Sequence, residues 1–172
     1  MPIDATEQTQ ALNWLPPAPP TPLIFDDEEP LETNRHRIAM NVLIRSLKQG
    51  WSEKQNYFVG GNMFIYYSSQ QLRNRDFRRP DFFVVLNVKS DPTCKGWVVW
   101  EEGGRYPDVV IELLSESTAE VDKDVKKNLY ERVFKTRDYF VFDLFDSQSL
   151  QGWSLHDQLQ YQLIVANERG WL

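Results

Sequence analysis

The segment at residues 106–126, YPDVVIELLSESTAEVDKDVK, constrains the fold more than any other part of the chain. Its first half is a run of β-branched and aliphatic residues, which predicts a buried β-strand. Glu112 interrupts this apolar run. Because an unpaired ionised carboxylate is too costly to keep in a protein interior, we expect Glu112 either to be paired or to hold a cation.

The predicted strand carries a second carboxylate, Asp108. Alternate side chains of a strand point to opposite faces, so Asp108 and Glu112 share one face, while the other face is wholly apolar. Four residues at about 3.3 Å each separate the two α-carbons by about 13 Å, which is too far for both to bind one ion. We choose Glu112 as the ligand because it lies mid-strand. Asp108 follows a proline at the start of the strand, where it can be a turn residue. It is therefore a weaker candidate for the metal ligand than Glu112.

The second half of the segment predicts a helix that carries Lys126. Ser117 and Glu120 fit a capping box, which begins the helix near residue 118. Apolar residues four apart form a ridge predicted to face the core, namely Val121, Val125, Leu129 and Val133. The neighbouring ridge, about 100° around the helix, carries Asp122, Lys126 and Tyr130 at the edge of a cleft.

The remaining pattern predicts an α/β domain preceded by an arm. Residues 1–30 hold seven of the ten prolines and are predicted to form an extended, partly disordered arm. Residues 31–172 form the domain, which opens with an amphipathic helix at residues 31–48 whose apolar stripe includes Glu32 and His36 at its amino end. Glycines at 60 and 61 predict a β-hairpin between strands at residues 57–59 and 63–67. The order helix, hairpin, three strands, helix, strand indicates a mixed β-sheet flanked by helices.

Charge and composition limit the classes of function. The net charge of −6 argues against a surface coated with positive charge for nucleic-acid binding. A local cluster of arginines nevertheless precedes Asp81 directly, at Arg73, Arg75, Arg78 and Arg79. This cluster is either a solvated loop or a site of phosphate capture. The single cysteine excludes an intrachain disulfide and a cysteine-rich zinc site.

Hydropathy bears on location. The sequence contains no apolar run near the ~20 residues that a membrane helix requires, and the amino end lacks the order of a signal peptide. We therefore expect a cytoplasmic protein that does not enter a membrane.

A metal site is the chemical hypothesis that follows if polar elements meet. Four could do so: Glu32 with His36, Asp81, the strand of Asp108 and Glu112, and Asp122 with Lys126. Two carboxylates within ~4 Å repel by roughly 4 kcal/mol at an effective dielectric constant near 20, so their convergence implies a divalent cation. Oxygen ligands suit Mg²⁺ or Mn²⁺ better than zinc. A nearby lysine, with Lys126 the better candidate of its cluster, would stabilise developing negative charge or orient the attacking water.

Each of these residues also has a plainer interpretation. Asp81 follows a proline and can be a strand-start or turn aspartate. Asp122 and Lys126 can be an exposed i, i+4 ion pair that contributes about 0.3 to 0.5 kcal/mol and takes no part in chemistry. For His36, a hydrogen-bonded histidine at the edge of the core is favoured over a ligand.

Three runs of sequence carry a resemblance to a known family. They are GGNMFIYYSSQQLRNRDFRRPDFFVVLNV, GWVVWEEGGRYPDVVIELLSESTAEVDKDVKKNLYERVFKTRDYFVFD and the closing GW. Over residues 30–172 the chain resembles the Uma-two family of nucleases, within the PD-(D/E)XK superfamily and its restriction-endonuclease-like fold.

The resemblance implies roles for particular residues. Asp81 is similar to the aspartate of the PD motif, and Glu112 to the acidic residue of the (D/E)XK motif. The lysine expected two residues after that acid is replaced by Leu114. The resemblance implies that Lys126, on the following helix, supplies the lysine instead. Glu32 resembles the acidic residue that the superfamily often has on its first helix.

The resemblance implies an endonuclease that uses Mg²⁺, or Mn²⁺, to cleave phosphodiester bonds in DNA. In this reading Asp81 and Glu112 hold the metal ion, Lys126 assists the attacking water, and the arginines before Asp81 approach the DNA backbone. The competing interpretation is a catalytically inactive binding or assembly module on the same fold, and a third is a hydrolase of another phosphate ester. A homodimer is an open alternative to a monomer.

Overall fold

The computed structural model describes residues 33–68, 78–114, 121–157 and 159–172, except for the side chains of residues 121–123. The proline-rich arm at residues 1–30, Glu32, the proposed capping box at residues 117–120, and Arg73 and Arg75 lie outside the described residues. The elements are α1 (Asn34–Gly50), β1 (Tyr57–Gly60), β2 (Ile65–Tyr66), β3 (Phe82–Leu86), β4 (Trp97–Val98), β5 (Val109–Leu114), α2 (Val121–Leu129), a π-helical turn (Tyr130–Phe134), β6 (Asp138–Asp143), β7 (Gln151–Leu155) and β8 (Tyr161–Leu163).

A six-stranded sheet organises the described residues, with strand order β1-β3-β5-β6-β7-β8. Strands β5 and β6 are parallel and are joined through α2 and the π-helical turn, whereas the other neighbouring pairs are antiparallel. Strands β2 and β4 form a separate parallel pair. The mixed sheet with flanking helices predicted from the sequence is therefore confirmed.

The two faces of β5 face two different cores, because its side chains alternate. On one face, Val109 and Ile111 pack with side chains of α1 against the cluster around Phe82 and Val84. On the other face, Val110 and Leu114 pack in the larger cluster, which includes Tyr130 of the π-helical turn. Glu112 shares this second face, so its carboxylate points toward the π-helical turn and not toward α1.

The predicted hairpin between β1 and β2 is wrong. Strand β1 pairs with β3, and β2 leaves the sheet to pair with β4. The glycines are needed for close approach: a Cβ on Gly61 would lie 2.9 Å from the carbonyl oxygen of Asp81. The positive φ angle at this bend is adopted by Asn62, at 51°, and not by either glycine. Asn62 then donates a backbone hydrogen bond to Pro80, which ties this bend to the start of β3.

The ridge of α2 predicted to face the core is also wrong. Val125 and Val133 are 52% and 47% exposed, whereas Tyr130 and Phe134 are 0% and 3% exposed. The neighbouring ridge is therefore the buried one. Aromatic side chains bury more apolar area than valine, so the orientation that buries Tyr130 and Phe134 is the more favourable.

Among the described residues, no helix combines the length and the apolar character needed to cross a membrane.

Candidate metal-binding and catalytic site

Asp81 and Glu112 lie opposite each other at one end of the β3–β5 pair. The antiparallel register joins Phe82 to Ile111 and Val84 to Val109, and one further step places Asp81 opposite Glu112. Residues opposed in this way have α-carbons roughly 4.5 to 5.5 Å apart and side chains on the same face. The two carboxylates are therefore neighbours although 31 positions separate them in the sequence.

The main chain of β5 holds Asp81 in this place. The backbone N–H of Leu113 donates a hydrogen bond of 2.8 Å to Oδ2 of Asp81. Because the donor belongs to the residue after Glu112, this bond ties the Asp81 carboxylate to the part of β5 that carries Glu112.

Glu112 is buried and paired. It is 4% exposed. The hydroxyl of Tyr130 donates a 2.7 Å hydrogen bond to Oε1 of Glu112, and Nζ of Lys126 lies 3.3 Å from its Oε2. Lys126 keeps 26% of its side chain exposed. The ammonium group thus reaches from the solvent side into the buried carboxylate, as a cleft-edge lysine would.

Burial raises the pKa of Glu112 to about 7, because desolvation disfavours the ionised carboxylate. The positive charge of Lys126 opposes this rise, the negative charge of Asp81 adds to it, and the hydrogen bonds from Tyr130 and Lys126 oppose it. Burial also raises the pKa of Tyr130 well above its ordinary value, and the charge of Glu112 adds to that rise. Tyr130 therefore stays a hydrogen-bond donor at neutral pH.

Tyr130 is a site residue whose role the sequence pattern does not predict. It begins the π-helical turn and is fully buried against Glu112. Single π-helical turns are rare in proteins, and those that occur are often found at functional sites. The available signal was its position four residues after Lys126, which places both side chains on one side of the helix.

Asp108 is not brought to this site. Its Oδ2 accepts a 2.7 Å hydrogen bond from the backbone N–H of Leu86, and it lies 3.5 Å from the guanidinium of Arg105. Asp108 and Asp81 thus do similar structural work at opposite ends of the β3–β5 pair, since each accepts an N–H from the end of the other strand. Asp81 differs in lying opposite a buried carboxylate.

His36 lies beside the site and bonds to its backbone. The side chain is buried, and its Nε2 lies 3.2 Å from the carbonyl oxygen of Leu113. Because a carbonyl oxygen only accepts, Nε2 is the donor. Nδ1 lies 3.0 Å from the hydroxyl of Thr33, which also caps α1 by accepting from the backbone N–H of His36. His36 therefore connects the start of α1 to the part of β5 next to Glu112.

Of the four arginines that precede Asp81, the structure describes Arg78 and Arg79. The guanidinium of Arg79 lies 5.4 Å from the centre of the Phe64 ring. Arg78 is half-buried, its carbonyl accepts from the backbone N–H of Ile65, and its positive charge lowers the pKa of Tyr130. Its charge is thus felt at the buried end of the site. Asp122 lies in α2, but its side chain is outside the described part of the chain.

The donor set fits a hard divalent cation. Across the described residues, no group of three or more histidine, cysteine, aspartate or glutamate side chains gathers closely enough to hold a metal ion. Mg²⁺ commonly binds through one or two carboxylates and keeps several waters, so two facing carboxylates are sufficient. A carboxylate has about four lone-pair positions, so the bonds from Tyr130 and Lys126 leave acceptor capacity on Glu112.

Comparisons with known proteins identify the family and the fold of the chain. The sequence model of the Uma2 family, described as "Putative restriction endonuclease", matches residues 24–172. No curated protein sequence matches the chain. Among solved structures, the chain is similar to the crystal structure of a "putative nuclease belonging to DUF820" from Anabaena variabilis, with a TM-score of 0.54 and 12% identity over 79% of this chain and 70% of that chain.

The structural similarity is informative about the fold, because 12% identity is too low to carry a function. The sequence match covers most of the chain and includes Asp81, Glu112 and Lys126. The family and the fold together support a nuclease function. This protein belongs to the Uma2 family of restriction-endonuclease-like proteins.

Proposed function

We propose that the protein is a metal-dependent endonuclease that hydrolyses phosphodiester bonds in DNA. The observation that carries the proposal is the position of Asp81 opposite Glu112, with Nζ of Lys126 3.3 Å from the Glu112 carboxylate. Two facing carboxylates and one ammonium group form a set that can bind a cation and oppose the negative charge of a phosphoryl group.

Asp81 and Glu112 would hold Mg²⁺, with Mn²⁺ as an alternative. The ion would supply a Lewis acid for the phosphoryl oxygens and lower the pKa of bound water. The protein prepares these ligands. The Leu113 N–H orients Asp81, and the Tyr130 hydroxyl orients Glu112 through Oε1.

Lys126 would supply the ammonium group that position 114 lacks. Leu114 is 8% exposed and packs in the core, so this position offers no cation to the site. Lys126 reaches the same carboxylate from α2. There its ammonium can donate a hydrogen bond that orients the attacking water, or one that stabilises a charged phosphoryl oxygen. Because its ammonium already contacts Glu112, little reorganisation is needed when substrate binds.

The substrate side of the proposal rests on Arg78 and Arg79. They directly precede Pro80 and Asp81, so they lie at the entrance of β3 next to the proposed ligands. Guanidinium groups suit phosphate because they present a planar set of donors. We assign both residues to the DNA backbone, and extend the assignment to Arg73 and Arg75 as part of the same cluster.

The test is cleavage of single- and double-stranded DNA by the purified protein with Mg²⁺ or Mn²⁺. Glu112→Gln and Asp81→Asn should abolish cleavage, and Lys126→Gln should lower its rate by about 10²- to 10³-fold, the usual effect of removing a charge-stabilising donor. Lys127→Gln is the matched control, since the neighbouring ammonium lies over the Trp153 ring at 4.5 Å and not at Glu112. Cleavage that survives Glu112→Gln would refute the proposed site.

A catalytically inactive binding or assembly module is the second candidate, favoured by Leu114 where the superfamily has a lysine. Calorimetric titration with Mn²⁺ separates the two. A metal-dependent nuclease should show saturable binding that Asp81→Asn and Glu112→Gln both remove. A module that has lost its site should show no such binding and no cleavage of any phosphate ester.

A further inference from the structure

A basic cavity lies at the end of the β1–β3 pair remote from Asp81. Its volume is about 580 Å³. Three lysines line it from separate segments: Lys48 in the last turn of α1, Lys54 in the loop before β1, and Lys89 in the loop after β3. Tyr57, Phe58 and Val59 of β1 and Met63 also line it.

The charges of this cavity are unbalanced. Asp91 is its one acidic lining residue among those described, and Oδ1 of Asp91 accepts hydrogen bonds from the backbone N–H and the hydroxyl of Thr93. None of the three lysines forms an ion pair with a described residue. Lys54 is instead held over the Trp51 ring, 4.0 Å from its centre. Because three lysines and one aspartate line the cavity, its charge favours an anionic ligand, although the net charge of the chain is −6.

The strand register sets the separation of this cavity from the proposed catalytic site. Tyr57 lies opposite Leu86, Lys54 precedes Tyr57, and Lys89 follows Leu86. These two lysines therefore lie beyond the carboxyl end of β3, whereas Asp81 precedes its amino end. Along the strand direction, the five residues of β3 span about 17 Å. Each strand of B-form DNA advances about 3.4 Å per nucleotide, so this distance corresponds to about five base pairs.

We infer that the lysine cavity binds the phosphate backbone of DNA about five base pairs from the bond that is cut. This inference rests on the proposed nuclease function and deepens it. The cavity is too large for a single phosphate to fill and has the volume of a typical ligand pocket, which suits successive phosphates of one strand. Arg78 and Arg79 contact the backbone near the scissile bond, and Lys48, Lys54 and Lys89 contact it farther along.

The experiment measures the affinity of fluorescent DNA duplexes as a function of salt, in EDTA and in the Glu112→Gln background, so that no strand is cut. Each neutralising change, Lys48→Gln, Lys54→Gln or Lys89→Gln, should lower the slope of log affinity against log salt by about 0.9, and the triple variant by nearly three times as much. Lys95→Gln is the control, because this exposed lysine is outside the cavity lining. Thermal unfolding of every variant confirms that it is folded.

Duplex length supplies the second readout. The three lysines should matter for duplexes that extend well beyond five base pairs from the cleaved bond, and not for shorter ones, which cannot reach the cavity. With Glu112 retained, the triple lysine variant should cleave long duplexes with a higher KM than the native protein and with an unchanged kcat.

The outcomes separate the two proposals. Lysine-dependent binding without cleavage by the native protein would refute the nuclease function and leave the DNA-binding cavity standing. If the native protein cleaves DNA but the triple variant has an unchanged salt slope, the nuclease function stands and the DNA-binding cavity is refuted. The inference is also overturned if DNA does not bind at all, if Lys95→Gln has the same effect as the cavity variants, or if short duplexes show the same lysine dependence.

Discussion

Replacing Glu112 with glutamine should stabilise the metal-free protein above neutral pH while it removes the proposed activity. Burial raises the pKa of Glu112 from its ordinary 4.5 to about 7 in the folded protein. The folded state therefore binds the proton more tightly than the unfolded state does. When no metal ion is bound, an ionised Glu112 in this buried position lowers stability, and the charge of Lys126 offsets only part of that cost. A neutral side chain of the same shape avoids it.

The sign and size of the effect follow from linkage. Below about pH 4.5 the carboxyl is protonated in both states and contributes no difference. As the pH rises from 4.5 to about 7, the unfolded state ionises first, so the stability of the wild-type protein falls, and above about 7 the loss is complete. At 1.36 kcal/mol per pKa unit, the full loss is roughly 3 kcal/mol. For a chain of this size that is on the order of 6 to 12 °C in Tm.

Glutamine should avoid this loss because it cannot ionise. Its amide oxygen can still accept from Tyr130, and Lys126, which is 26% exposed, can turn its ammonium toward water. We therefore expect Glu112→Gln to be more stable than the wild-type protein at about pH 8, by up to roughly 3 kcal/mol, and to differ little from it near pH 4.5.

The assay is urea or thermal unfolding in EDTA at several pH values between about 4.5 and 8.5, a window that spans the Glu112 transition. Taking the difference between variant and wild type cancels the titration of the groups that both proteins share. A variant that is less stable than the wild type at high pH, or a difference that does not change with pH, would refute the reasoning. Addition of Mg²⁺ should then stabilise the wild type alone, because the proposed ligand is missing from the variant.

Three further changes probe the surroundings of Glu112. Asp81→Asn removes a like charge and should lower the pKa of Glu112, which moves the pH-dependent loss of stability to lower pH in the same unfolding series; an unmoved or raised transition would contradict this. Tyr130→Phe removes the donor to buried Oε1 and should cost about 1 to 3 kcal/mol by urea unfolding at about pH 8, whereas an unchanged midpoint would show that the bond contributes nothing. Gly61→Ala brings a Cβ within 2.9 Å of the Asp81 carbonyl and should lower stability by roughly 1 to 3 kcal/mol together with Mn²⁺ affinity. Gly50→Ala is its control, since an added Cβ there meets no described atom within 4 Å. This control should be neutral or stabilise the protein by up to about 1 kcal/mol. Equal losses of stability in both variants would contradict the steric argument.

The contrast between Asp81 and Asp108 shows how far local pattern can go. Both aspartates follow a proline, and both begin a predicted strand. From the sequence pattern alone, either aspartate could be a turn residue or a site residue. The tertiary structure distinguishes them through the β3–β5 register, because it puts Asp81 opposite Glu112 and leaves Asp108 at the other end of the pair with Leu86 and Arg105.

The helix after β5 gives the opposite lesson about periodicity. A spacing of four predicted correctly that Lys126 and Tyr130 share a ridge, but it could not tell which of two adjacent ridges is buried. That choice depends on the volume available beside β5 and β6, where Tyr130 and Phe134 pack in the core. The π-helical turn adds a local change of helical period that a regular helical pattern does not anticipate.

By itself, the sequence determined that Glu112 is a mid-strand carboxylate in need of a partner, that it shares a face with Val110 and Leu114, and that the chain forms a mixed sheet with flanking helices. These features depend on alternation and period within single elements, which are local properties. Only the tertiary structure decided that β1 pairs with β3 and not with β2, that Asp81 faces Glu112, and that Tyr130 bonds to Oε1. These depend on contacts between residues far apart in the chain, and their energies come from packing and strand register, which local periodicity does not encode.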